Sequence, residues 1–276
     1  YSTAVGTKSL YTNTTGNNQA FGSFSLKKNT SGTLNNAFGY AAMEENTTGD
    51  CNTAMGHAVL NKNTTGIKNS AFGHQALYSN TTGNWNTAAG LGALYSNTTA
   101  CYNVAFGPEA LQCNTSGCKN TAIGGWALRR NTTGCNHTAS GYYALNCNTT
   151  GINNSAFGQQ ALRYNTTGKN NTAVGAWAAY ATTCGCRNIA VGNSSLEKNT
   201  TGNWNIAIGS RSLYCNTTAC YNTAVGGCAL HTNSTGAKNT AVGYGAGFSS
   251  TTSNYNAAFG YQTLHANTTG VQNTAS

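Results

Sequence analysis

The sequence is short of charge, and of acid above all. Its 5 Asp and Glu and 14 Lys and Arg make up 7% of 276 residues, against roughly 25% in an ordinary soluble domain. So few acids leave little for acid–base catalysis. Glu44, Glu45, Asp50, Glu109 and Glu197 are scattered, and only the first two adjoin, so no second carboxylate pair faces them. No G-x-S-x-G elbow comes with a matching His and Asp. Basic residues never run beyond the pairs Lys27-Lys28 and Arg129-Arg130, so the net charge of +9 is too dispersed for a nucleic-acid patch. No apolar stretch is long enough to span a membrane as a helix. Proline occurs once, at Pro108, and no linker breaks the chain. An initiator Met and a signal peptide are both missing, so Tyr1 is expected to follow processing or to begin a fragment.

What is present is Gly, Asn, Thr and Ala, in a repeat that runs the whole length. Aligned on an Ala-x-Gly core, repeats start at Ser2, Asn18, Asn35, Asn52, Asn69, Asn86, Asn103, Asn120, His137, Asn154, Asn171, Asn188, Asn205, Asn222, Asn239, Asn256 and Asn273. The first interval is 16 residues and all others are 17. With positions numbered one to seventeen, position one is nearly always Asn and position three is Ala throughout, from Ala4 to Ala275. Position five is Gly, and position four is mostly Val, Ile or Phe. Positions eight and nine are a small residue then Leu, as in Ala76-Leu77, and positions twelve to fifteen read NTTG.

Seventeen residues are too few for a helical-pair or leucine-rich repeat. They suit one coil of a parallel β-solenoid with two short strands and two turns. Gly at five and fifteen is expected at the corners, where positive φ costs least, and Asn at one and twelve tolerates left-handed backbone. Equivalent residues would stack about 4.8 Å apart, with Asn and Thr forming hydrogen-bond ladders. About sixteen coils would then give a rod roughly 75–80 Å long. Positions three and four point to opposite faces and both are apolar, so both faces look buried. A lone sheet needs only one apolar face, and the second calls for another chain. A compact three-sided monomeric coil is the competing reading.

The words NTAMG (52–56), NSAFG (69–73), NTAIG (120–124) and NTAVG (171–175, 222–226, 239–243) resemble the head repeats of YadA-type trimeric autotransporter adhesins. Related repeats occur in tail and surface fibres of phages and large viruses. The resemblance covers the entire chain. It implies a left-handed parallel β-roll with three chains about one axis, and adhesion or surface display without catalysis. The repeat here is longer than that family's usual one, around NTTG; the 276 residues themselves hold no coiled-coil stalk or membrane-barrel pattern, and cysteines are unusually many.

Asn-Thr/Ser-Thr/Ser recurs at Asn13, Asn29, Asn46, Asn63, Asn80, Asn97, Asn114, Asn131, Asn148, Asn165, Asn199, Asn216, Asn233 and Asn267. Each fits the N-glycosylation signal, yet glycans on neighbouring coils would stand only about 4.8 Å apart. The alternative is that Asn caps a turn and Thr builds a ladder. Ranks of Thr also suggest an ice-binding face, but adjacent threonines in a strand point opposite ways. His57 and His74 share position six and should stack, without a third ligand for a metal. Tyr11, Tyr78, Tyr95, Tyr180 and Tyr214 share position ten; Trp85, Tyr102, Trp204, Tyr221 and Tyr255 share position seventeen. Lys28, Lys62, Lys68, Arg130 and Lys198 lie alongside the same turn. Such edges stack on sugars or grip another chain.

Eleven cysteines without a metal-ligand pattern point to an oxidising, extracellular compartment. They favour positions eleven and sixteen, at the two ends of the NTTG turn. Cys215–Cys220 is the favoured disulfide; Cys113–Cys118, and the coil-to-coil steps Cys101–Cys113 and Cys135–Cys147, are further candidates. Cys51, Cys184, Cys186 and Cys228 are candidates for joining chains. The array opens and closes in mid-pattern without polar caps, which suggests a window of a longer fibre or subunits stacking end to end. The sequence therefore predicts one continuous solenoid array over 1–276, without cofactor or catalytic site. Its expected partners are copies of itself, with glycans or a host surface receptor as further ones. It would serve as an extracellular fibre on a cell, on a virion or as a free filament. A glycan- or ice-binding solenoid using the Asn-Thr-Thr edge is the alternative.

Overall fold

A computed structural model describes all 276 residues, which form two compact units, Tyr1–His137 and Thr138–Ser276. Both are parallel β-solenoids built from the seventeen-residue coil. The first holds eight strands and the second nine. Each complete coil contributes one three-residue strand at positions two to four, such as Thr53–Met55. That strand pairs in parallel register with Ser70–Phe72, Ala54 lying opposite Ala71. The same register, Ala on Ala, recurs from Ala156 through Ala173, Ala190 and Ala207 to Ala224. These alanines are fully buried. Any larger side chain at position three would force neighbouring turns of the coil apart, which explains why the position never varies.

The expected second strand is absent. Positions six to eleven form a run of turns in which alternate residues are left-handed: Ala58 has φ 52° and Leu60 φ 49°. Left-handed backbone costs a non-glycine residue about 1–2 kcal/mol, so it must be held from outside. Axial hydrogen bonds hold it. Ala58 N donates to Tyr40 O of the preceding coil at 2.9 Å, while Leu60 N donates to Ala76 O of the next at 3.0 Å. Alternating handedness also removes strand parity, so adjacent Val59 and Leu60 both point inward and are fully buried. Leu60, Leu77, Leu94, Leu111 and Leu128 fill the interior of the first unit, and Leu145, Leu162, Leu196, Leu213 and Leu230 that of the second. Burying each contributes about 1.5–3 kcal/mol.

The corners are only partly where the sequence suggested. Gly at position five is left-handed-side backbone, as at Gly192 (φ 128°), and a β-carbon there would lie 2.6 Å from Gly209 C. The third left-handed site is position seventeen, as at Lys68 (φ 56°), rather than Asn at one or twelve. Gly at fifteen has a different reason. A β-carbon on Gly117 would press on the Gly134 carbonyl of the next coil and lie 2.6 Å from Asn114 Oδ1, so glycine there leaves room both for the axial approach and for the position-twelve amide. Position-one asparagines stitch the coils from inside: Asn52 N donates to Asn35 Oδ1 (2.9 Å) and Asn52 Nδ2 to Gly66 O (2.8 Å).

Candidate functional surface

The NTTG word is a ladder rung. Asn80 is completely buried. Its Nδ2 donates to Asn63 Oδ1 at 2.8 Å and to Gly83 O at 3.0 Å, and its Oδ1 accepts from Asn97 Nδ2 at 2.8 Å. Both amide hydrogens are therefore used, and a sugar on Nδ2 would displace them. Asn29, Asn46, Asn63, Asn97, Asn114, Asn131, Asn148, Asn165, Asn199, Asn216 and Asn233 are likewise buried. The folded coil leaves no space for glycan at these twelve positions; of the fourteen candidates only Asn13 and Asn267 are partly exposed. The threonines divide their roles. Thr64 Oγ1 at position thirteen donates to Thr81 O (3.0 Å), a backbone acceptor rather than another hydroxyl, while Thr65 at fourteen is exposed. One rank of open threonines per coil remains, not the two that an ice lattice would use.

The cysteines do not form the expected pairs; all eleven are free thiols. At position sixteen the thiol is an axial hydrogen-bonding group. Cys118 Sγ accepts from Cys101 N at 3.1 Å, and Cys135 Sγ accepts from Cys118 N at 3.1 Å. Cys220 Sγ likewise accepts from Asn203 N at 3.2 Å while donating to Thr218 O at 3.5 Å. Cys215–Cys220, Cys113–Cys118, Cys101–Cys113 and Cys135–Cys147 are not formed, and in each pair the position-sixteen sulfur serves instead as an axial acceptor. Asp50 and Asn84 fill the same position and accept from Thr33 N (2.6 Å) and Ile67 N (2.7 Å). Their company at position sixteen was the available signal for this role, since Asp, Asn and Cys share acceptor capacity and little else. Of the candidates for joining chains, Cys51 and Cys184 are exposed, Cys228 is half-buried, and Cys186 belongs to the position-sixteen set, accepting from Lys169 N at 3.3 Å.

Outside the core, side chains at one repeat position stack from coil to coil. Tyr78 lies on Tyr95 with ring centroids 5.1 Å apart, and Tyr214, His231, Phe248 and His265 form one continuous column at position ten. His57 and His74 stack at 5.0 Å and extend the column begun by Tyr40; no group of three His, Cys, Asp or Glu side chains gathers for a metal. At position seventeen Lys68 caps Trp85 (4.1 Å), which stacks on Tyr102 (6.3 Å). The second unit repeats the motif: Arg187 caps Trp204 (4.5 Å), which stacks on Tyr221 (6.4 Å). Four of the five acids are engaged. Glu44, Glu45 and Glu109 pair with Lys27, Lys28 and Arg129, and Asp50 holds Thr33.

Position four forms the remaining surface. In the strands its side chain points away from the buried alanine, and the single chain leaves it open. Val5, Met55, Phe72, Phe106 and Ile123 are exposed in the first unit; Phe157, Val174, Ile208, Val242 and Phe259 are exposed in the second, all between 36 and 55%. The surface thus offers axial stacking, an apolar column and an exposed Thr rank, with no convergent nucleophile, base and oxyanion donor. No helix is long and apolar enough to cross a membrane. No family model, curated protein or solved structure matches the chain.

Proposed function

We propose that the chain is a non-enzymatic structural segment of an extracellular fibre, assembled as a homotrimer and used for surface display or adhesion. The apolar column at position four carries this reading. Ordinary monomers rarely expose contiguous apolar patches above a few hundred Å², and each unit carries five exposed apolar side chains at this position, one to three coils apart with half-buried residues such as Phe38 and Val191 between them. Three chains meeting along this column would bury it, and the in-register spacing would repeat the contact at every coil. A backbone stiffened by axial hydrogen bonds at nearly every position suits projection, whereas a catalyst needs convergent groups. The resemblance to adhesin head repeats points the same way.

Sedimentation of the full chain tests the assembly. A species near three times 28.5 kDa that Phe72→Lys with Phe106→Lys dissociates is the expected result. A chain that stays at 28.5 kDa at high concentration would remove the trimer.

A further inference from the structure

We propose that the second unit carries a binding cleft for one neutral pyranose residue of a glycan, opened where Ser194 interrupts a column of large side chains. The cleft is a shallow, solvent-open depression of about 340 Å³ lined by Trp177, Tyr180, Ser194, Glu197, Arg211 and Tyr214. That volume lies within the range of small-molecule sites. The six residues are positions seven and ten of three successive coils. In coils with large residues here the space is filled: Trp126 Nε1 reaches Glu109 Oε2 at 3.1 Å, and the Arg163 guanidinium lies 4.5 Å over the Tyr143 ring. Ser194 is distinguished by standing between Trp177 and Arg211. Ser194 is nearly buried and supplies only a floor.

Trp177 and Arg211 stand two coils apart, about 9.6 Å at the axial rise. The empty layer between them is about 4.8 Å deep, which matches a saturated six-membered ring lying flat against the indole. The polar groups suit hydroxyls of both senses. Arg211 has no hydrogen-bond or ion-pair partner for its guanidinium, and Glu197 is the one acid without a cation or backbone partner, holding only the Tyr214 hydroxyl at 3.4 Å. A donor fork and an open acceptor sharing one cleft without pairing match vicinal hydroxyls, which accept from the first and donate to the second. The exposed Trp177 face meets the C–H face of the ring. A uronate would set its carboxylate near Glu197 as well as Arg211, so the neutral sugar is the better match.

The cleft makes no use of the position-four column, so its test separates from that of assembly. Titration calorimetry of the full chain with methyl hexosides and N-acetylhexosamine is expected to show saturable binding. Trp177→Ala and Ser194→Trp should each weaken it about tenfold or more, with sedimentation unchanged. Tryptophan fits at 194, because Trp126 (φ 57°) and Trp177 (φ 56°) occupy the same repeat position with the backbone of Ser194 (φ 56°). Arg211→Met gives a third variant that leaves the floor and the indole intact. Three results would overturn the proposal: no hexoside binding by the unaltered chain, undiminished binding by Ser194→Trp, or preference for glucuronate or free amino acids. Loss of assembly in Ser194→Trp would place the cleft inside a chain interface and overturn it too.

Discussion

The asparagine ladder contains two faults, and mending one measures what a rung contributes. Thr182 and Ser250 occupy position twelve where the other complete coils have Asn. Their neighbours show the consequence: Asn165 Oδ1 and Asn233 Oδ1 are buried without a hydrogen-bond partner. On the far side of the first fault, Asn199 Nδ2 reaches Thr182 Oγ1 only at 3.4 Å, against 2.8 Å for the intact rung from Asn216 to Asn199. Thr182→Asn would supply a donor to Asn165, an acceptor to Asn199 and a bond to Gly185 O. Relieving one orphaned buried acceptor is worth about 1–3 kcal/mol. Gly185 at position fifteen leaves space for the new amide, as Gly117 does for Asn114. Because solenoid stability is nearly a sum over coils and their interfaces, the gain should be local. Amide hydrogen exchange between residues 165 and 199 should slow about tenfold per 1.4 kcal/mol, and the urea midpoint should rise. The reciprocal change, Asn80→Thr, should cost a similar amount by orphaning Asn63. Ser250→Asn should gain less, because Ser253 carries a side chain at position fifteen, where glycine normally stands beside the amide. If Thr182→Asn and Asn80→Thr both leave exchange unchanged, the ladder is a passenger of the fold rather than a support.

Four further outcomes follow from the same geometry. Secreted from a eukaryotic host, the folded chain should carry glycan at no position except Asn13 and Asn267, as read by glycopeptide mass spectrometry; sugar on Asn80 in folded material would contradict its burial. Cys118→Ala should cost about 0.5–1.5 kcal/mol by removing the acceptor for Cys101 N, whereas Cys118→Asn should retain stability, as thermal denaturation would report. Gly192→Ala should destabilise its coil by about 1–3 kcal/mol from backbone strain alone, with the contact to Gly209 adding to it. His231 lies stacked between Tyr214 and Phe248, and burial, reinforced by the charges of Arg211 and Lys198, holds its pKa below the usual histidine value. The fold therefore favours neutral imidazole, so the contribution of His231 is complete above about pH 6.5 and is lost as pH falls through the folded pKa. Stability should drop on acidification more in the native chain than in His231→Phe, and an unshifted imidazole titration by NMR would refute this.

The coil was legible in the sequence because its constraints are periodic. Ala at three, Gly at five and Leu at nine recur wherever the axial stack admits nothing larger or needs an apolar filler, so coil length and register could be read by counting. The sequence also suggested two buried strand faces, whereas the single chain buries only that of position three. The turn segment was less legible. Adjacent small and Leu residues at eight and nine imitate a strand buried on both faces, and only the alternating handedness at Ala58 and Leu60 explains how both point inward. NTTG misled for a chemical reason: a sequon and a buried amide ladder use the same atoms of Asn80, and sequence alone does not say which side of the backbone they occupy. The cysteines misled because counting suggests pairing, whereas Cys101, Cys118, Cys135, Cys186 and Cys220 serve as acceptors in a column shared with Asp50 and Asn84. The count of eleven therefore says less about redox compartment than it first does. The cleft at Ser194 was invisible by pattern, since what makes it is a small residue at a position where no residue type is fixed.

The paired cation–indole–phenol columns bear on how such a chain lengthens. Lys68, Trp85, Tyr102 and Lys119 recur in order as Arg187, Trp204, Tyr221 and Lys238, and 187 minus 68 is 119, or seven times 17. A whole number of coils separates the copies. Adding or removing whole coils of seventeen residues would preserve the axial register, and the 16-residue first interval keeps its rung as well, Asn29 Nδ2 donating to Asn13 Oδ1 at 2.7 Å. The outer columns carry no such requirement, so their residue types are free to differ, as lysine at 68 and arginine at 187 do while capping the same indole–phenol stack.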